Sequence, residues 1–307
     1  MDVPRIRDAA STRTATAWDR RLLGLVALAV IGGSLLAVIA GTYWSNPGDN
    51  LAYWIAGMHI AAGEPIYATG ETAFAPYAYH YPPPLAQALA PLTLIVPAVV
   101  YVAVYRALEL LTVWDLGGRR MLAMLALIAF IPVAVELRFE NVHLFMAIGI
   151  VLGLRRWPWL FAIGAVVKIS PGLGIVYLML RRRWRDAVVA CVVGAVIVGV
   201  SFVLDPGLWL AWLDAVLIRA DTTGNSLLPV PYLVRAVAGL ALTVAGGVLG
   251  RRRGELLLVA GITIANPNLA MNGLAVLAAA VPIWFAGPDG VGTGREPTIG
   301  EVRPTVA

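Results

Sequence analysis

The chain has 307 residues, 60% of them hydrophobic and only 13% charged, with a mean hydropathy of +0.80. That profile excludes a soluble core and points to an integral membrane protein. The net charge of +5 sits mostly in clusters at the ends of apolar runs, so it reports orientation rather than nucleic-acid binding, and the single cysteine, Cys191, excludes an internal disulfide framework.

Residues 1–20 form an N-terminal segment carrying Arg5, Arg7, Arg13 and Arg20, which predicts a cytoplasmic start. Residues 22–41 read as the first span; the run is too long for a signal-peptide core and is predicted to be retained. No lysine or arginine occurs from Leu22 to Tyr105, so the polar stretch within residues 42–83 is predicted to be an outer loop. A second span is expected over residues 84–111, kinked at Pro91 and Pro97. Arg119 and Arg120 mark a cytoplasmic turn. Residues 121–135 form a third span, 136–141 a short outer loop, and 142–154 a short fourth span ending at Arg155 and Arg156.

The next stretch is decided by parity. Residues 157–180 are enough for one ordinary span, but arginine clusters flank both sides, at Arg155-Arg156 and at Arg181, Arg182, Arg183 and Arg185. A hairpin of two short segments turning at Lys168-Ile169-Ser170-Pro171 keeps both clusters inside. Residues 187–204 then lead outward to a second outer loop, 205–229, where Trp209 and Trp212 are expected as interfacial anchors. Residues 231–250 return to Arg251-Arg252-Arg253. Residues 256–265 are too short to cross alone and end at Asn266-Pro267-Asn268 near the outer surface. Residues 269–285 return, and 287–307 form a disordered cytoplasmic tail. The chain thus reads as all-α, with about ten spanning or partly spanning segments in a single transmembrane domain over 21–286 and both termini cytoplasmic.

Lys168 is the only lysine in the chain. A cation at membrane depth costs roughly 2.5–3.5 kcal/mol on insertion scales, so it usually has an anionic partner or a wet cavity. A compact ammonium suits a phosphate as a point charge; a helix end that snorkels to water is the structural alternative. The predicted topology puts the other unusual polar groups on the same side: Asp49, His59, Glu64 and His80, then Arg138, Glu140, Asn141 and His143, then Asn266 and Asn268. All three histidines are among them. An enzyme working at the outer leaflet has reason to gather such groups.

Asp49 lies a few residues after the first span, in a turn that can aim a carboxylate at the membrane boundary. It is either a general base, which needs an ionised, oriented carboxylate, or a helix N-cap for the apolar run that follows. Tyr77, Tyr79, His80 and Tyr81 precede Pro82-Pro83-Pro84. An interfacial aromatic belt accounts for most of these rings, but a belt does not need His80. The sequence contains no Walker-type loop, dinucleotide fingerprint or HExxH pair, and the histidines lack metal-ligand spacing.

An Asp after the first span, Gly63-Glu64-Pro65-Ile66-Tyr67, Tyr81-Pro82-Pro83 opening the second span, and a Lys168–Pro171 turn before an Arg-rich end together resemble glycosyltransferase family 87. These are membrane glycosyltransferases of the C-type fold. The resemblance covers roughly residues 20–285. It implies transfer of mannose from a polyprenyl-phosphate donor to a lipid or glycolipid acceptor, inverting, with Asp49 as base and no metal or other cofactor required. It implies donor-phosphate contact by Lys168, with Arg138 or His80 assisting, and substrate contacts from Tyr81, Asn141, His143 and Asn268. Asn266-Pro267-Asn268 falls where many members have Ser-Pro followed by a histidine; this chain has Asn268 and Asn272 there and no histidine. A transporter or lipid flippase, and a non-catalytic membrane scaffold, are the competing classes.

Overall fold

The computed structural model describes residues 48–67, 78–219 and 226–286, with several helical positions between 24 and 35. The expectations for segment 1–20, for the 287–307 tail and for much of the first span lie outside the described residues. Among the described residues every regular element is a helix: α1 (Asn50–Ala62), α2 (Pro83–Thr93), α3 (Ala98–Leu116), α4 (Met121–Ala129), α5 (Ile131–Phe139), α6 (His143–Arg155), α7 (Leu160–Val167), α8 (Leu173–Leu180), α9 (Trp184–Leu204), α10 (Pro206–Arg219), α11 (Tyr232–Val248), α12 (Arg251–Ile264) and α13 (Ala280–Phe285). Short 3-10 segments occupy Ser170–Gly172 and Asn272–Ala279. The protein is all-α in this sense.

Helix α9 is long and apolar enough to cross a membrane by itself, with 21 residues and a hydropathy of 2.8. At 1.5 Å per residue it spans about 32 Å, the thickness of a hydrocarbon core. Val188, Val192, Val196, Val200 and Val203 on it are exposed, a continuous apolar surface that suits lipid and not water. The other helices are shorter. Residues 121–139 form a broken unit, α4 and α5 meeting at 85° around an extended Phe130 with Pro132 in the first turn of α5. The expected third span is therefore bent, and residues 136–139, expected as loop, complete α5.

The expected second span is also two helices. Tyr81 donates to Asn141 Oδ1 at 2.9 Å, and Tyr105 donates to the Asn141 carbonyl at 2.7 Å. An unbroken helix would hold residues 81 and 105 about 36 Å apart. The chain instead doubles back between α2 and α3, at residues 94–97, and α2 packs along α1 where Gly57 meets Leu89 and Ala90. The two prolines differ here: Pro91 lies inside α2, while Pro97 caps the start of α3 at the break between two helices that serve the same site.

The turn at Lys168 is the hairpin that parity predicts. Phe161 of α7 lies against Gly174 of α8, Gly164 against Pro171, and Ala165 against Gly172, so the two segments run back along one another. At their far end Arg183 Nη1 donates to the Leu154 carbonyl at 2.7 Å, and Arg181 Nη1 donates to the Leu249 carbonyl at 2.9 Å. Three arginine clusters thus gather at one end of the bundle, and Lys168 and the start of α6 lie at the other. Helix α6 joins the two ends with 13 residues, about 20 Å, well short of a full hydrocarbon core. The core between them packs Leu137, Leu144, Ile150, Leu258, Ile262 and Val276. Helices α11 and α12 form a second, antiparallel hairpin. Gly239 faces Gly261 and Gly246 faces Gly254, glycines seven apart on each helix that let the two backbones touch. Residues 206–219, expected as part of an outer loop, form α10, whose Trp209 donates to Ser201 Oγ at 3.0 Å.

Candidate functional site

Asp49 is held by backbone contact before its side chain does anything. Its N–H donates to the Phe139 carbonyl at 2.6 Å, and Gly48 presses on Glu140 so closely that a Cβ there would sit 2.6 Å from Glu140 Cβ. Glu140 in turn sits in the left-handed region, at φ 55°, with its buried carboxylate accepting from Arg106 Nε at 2.8 Å. This strand-like touch between residues 48–49 and 139–140 aims Asp49 across the end of α5. Asp49 occupies the N-cap position of α1, but its side chain makes no capping hydrogen bond. Its Oδ2 accepts from Asn141 Nδ2 at 2.7 Å instead, which settles the N-cap alternative against a capping role. Burial pushes the Asp49 carboxyl above the ordinary carboxylate range; the Asn141 hydrogen bond and the nearby Lys168 charge oppose that rise.

Asn141 is the hub. Its Nδ2 serves Asp49, and its Oδ1 accepts from both Tyr81 and the Val142 N–H, at 2.9 and 2.8 Å. Tyr53 donates onward to the Tyr81 hydroxyl at 2.9 Å. Tyr53, Tyr67, Tyr79, Tyr81, Tyr101 and Tyr105 pack ring against ring around this point. Tyr53, Tyr67 and Tyr79 are buried, so the belt expected for the rings before α2 is replaced, at Tyr79 and Tyr81, by an internal aromatic wall. Tyr81 opens α2, and Tyr67 donates to its carbonyl at 2.9 Å.

The second arm starts at the hairpin tip. Lys168 Nζ lies 2.6 Å from His143 Nε2, and His143 Nδ1 lies 2.9 Å from Glu136 Oε2. The His143 N–H also donates to Glu136 Oε1, at 2.6 Å. Lys168 Nζ sits 5.5 Å from the centre of the Tyr81 ring, so the two arms share that tyrosine. Among the described residues no ion pair joins Asp49 to Lys168 directly.

The structure therefore brings Asp49, Tyr81, Asn141, His143 and Lys168 together. His80 is exposed beside Tyr81. Arg138 is half-buried and lies over the Phe139 ring, and Asn268 is exposed on its turn; neither is drawn into the cluster. The neighbour Asn266 is fully buried instead, with its amide unpartnered, beside Gly273 and His143. Two further residues escape sequence reasoning. Glu136, fully buried, lay inside an expected loop. Arg235, buried in the first turn of α11, clamps the Asn266-Pro267 turn by donating to both carbonyls, at 2.7 and 2.8 Å. Parity of spans gave no signal for either; a charge inside an otherwise apolar helix is the signal that could have found them. Among the described residues no group of three His, Cys, Asp or Glu side chains is placed to hold a metal ion.

An all-helical chain with a lipid-suited surface and a buried polar cluster at one end of short helices is a membrane protein built around a site. The model of glycosyltransferase family 87 matches residues 79–292, more than half of the chain, and the chain belongs to that family. It is accordingly a membrane glycosyltransferase by family. No curated protein and no solved structure gives a significant match.

Proposed function

We propose that the protein transfers a sugar, mannose by the family's association, from a polyprenyl-phosphate donor to a hydroxyl of a lipid or glycolipid acceptor. The observation that carries this reading is the pairing of a carboxylate and an ammonium held separately. Asp49 is aimed by Asn141, Lys168 by His143, and Tyr81 stands between them. A carboxylate and a cation that are not spent on each other suit the two ends of one displacement.

In that displacement Asp49 takes the proton of the acceptor hydroxyl as its oxygen bonds to the anomeric carbon. The bond from that carbon to the phosphate oxygen breaks on the opposite face, so configuration inverts. The electron pair leaves with the polyprenyl phosphate, and Lys168 stabilises its charge through a charge-assisted hydrogen bond. The scheme needs no metal. Gathering of the arginine clusters at the opposite end supports placing that end in the cytoplasm and the site on the outer side, in a multi-pass arrangement.

The test is incubation of membranes carrying the protein with radiolabelled polyprenyl-phosphate-mannose and candidate lipid acceptors. Labelled glycolipid formed by wild type and absent with Asp49→Asn supports the reading. Uptake of label into vesicles without product indicates a carrier and overturns it.

A further inference from the structure

We propose that Glu136 is a positioning residue for the leaving-group lysine, acting through the tautomer of His143; this rests on the transferase reading above. Glu136 and His143 are both buried, and Lys168 is half-buried at the hairpin tip. The chain Glu136–His143–Lys168 therefore runs from the protein interior outward, with successive heavy-atom separations of 2.9 and 2.6 Å.

With Glu136 ionised and Lys168 charged, the chemistry of the three groups fixes the protons. An ionised carboxylate only accepts, so the hydrogen on the Glu136–His143 contact belongs to His143 Nδ1. A neutral imidazole protonated on Nδ1 has a bare Nε2, and that lone pair faces Lys168. The ammonium donates one N–H to it and keeps two for a ligand. The opposite tautomer would turn an N–H toward an ammonium that can only donate, and the contact would open. The backbone N–H of His143 donates to the other Glu136 oxygen, so the carboxylate grips ring and main chain at once. The hydrogen bonds of Glu136 go to His143, and its charge is also felt at Lys168, Asp49 and Tyr81, so the tautomer readout is what separates positioning through the imidazole from a through-space effect. Glu136 plays the part that an outer carboxylate plays for a ligating histidine, here with an ammonium in place of a metal.

The test uses the full chain, purified in detergent or nanodiscs and labelled with nitrogen-15 histidine. The His143 resonances are assigned by their loss in His143→Gln. The wild type is expected to carry its proton on Nδ1 with Nε2 bare, a readout that needs no substrate. Glu136→Gln, whose amide can donate to Nδ1, is expected to move the proton to Nε2. It should also lower kcat by about 100- to 1,000-fold, as far as Lys168→Met does. The double variant should be no worse than either alone, because both remove one device. Glu136→Asp, which keeps an accepting carboxylate, should retain the tautomer and recover part of the rate; it also serves if Glu136→Gln does not fold. A wild-type His143 protonated on Nε2, an unchanged tautomer in Glu136→Gln, or losses that multiply in the double variant would overturn the inference. Wild-type membranes that form no product overturn the transferase reading instead, and the tautomer measurement still decides the placement of Lys168.

Discussion

The two ends of the helix bundle use charge in opposite ways. At one end Arg182, Arg185, Arg251 and Arg253 are exposed, and the arginines that do bond mostly hold chain ends, as Arg183 and Arg181 do with the carbonyls of Leu154 and Leu249. At the other end Glu136, Glu140 and His143 are buried, and Asn141 and Lys168 are threaded into hydrogen-bonded chains. Exposed cations cost little and specify little beyond orientation. Buried polar groups are costly unless each has a partner, so an arrangement of them at one end defines a geometry. The comparison predicts that chemistry belongs to the buried end.

The sharpest way to break it is Asp49→Asn. Loss of the base is expected to lower transfer by about 100- to 10,000-fold, measured as labelled glycolipid, with the protein still recovered folded from membranes. Full activity would remove Asp49 from the reaction. Lys168→Met is expected to lower kcat by about 100- to 1,000-fold and to weaken donor use more than acceptor use. Equal effects on both substrates would count against a phosphate role. Asn141→Leu removes a hydrogen bond to a charged group and should cost about tenfold in rate or more. It also has a pH signature. The base works ionised, so the rate climbs with pH through the Asp49 pKa, which burial has raised. The Asn141 hydrogen bond favours the ionised form, so its loss moves that climb to higher pH; an unmoved profile would show that Asn141 does not act on the carboxylate. At the other end Arg253→Gln should change transfer by about twofold or less, as an exposed substitution away from the site does. A larger loss would mean that the arginine end takes part.

The sequence made some of this legible and hid the rest for physical reasons. The arginine clusters required a reversal at Lys168, because charge asymmetry is a strong constraint on a chain that must return to the same side. Phe161 against Gly174 is that reversal in atoms. Asp49, Asn141 and Lys168 stood out because each is polar next to long apolar runs. The doubling back between α2 and α3 was hidden, since prolines that kink a helix and prolines that end one look alike in a sequence. The bend between α4 and α5 was hidden for the same reason. Glu136 reads in the sequence as a loop residue, where a carboxylate needs no partner; inside α5 it needs one and finds His143. Arg138 and Asn268 read as site residues by their position along the chain, but their side chains fall outside the cluster while Glu136 and Asn266 are buried.

Helix α6 has a consequence for how the polar end is sustained. None of its residues is exposed, so this rod about 20 Å long is sheathed by other helices and meets no lipid. A rod shorter than an oil film about 30 Å thick cannot reach both of its faces, so at least one end stops inside. Where that end is the His143 end, the charged groups there lean on one another's hydrogen bonds in place of bulk water.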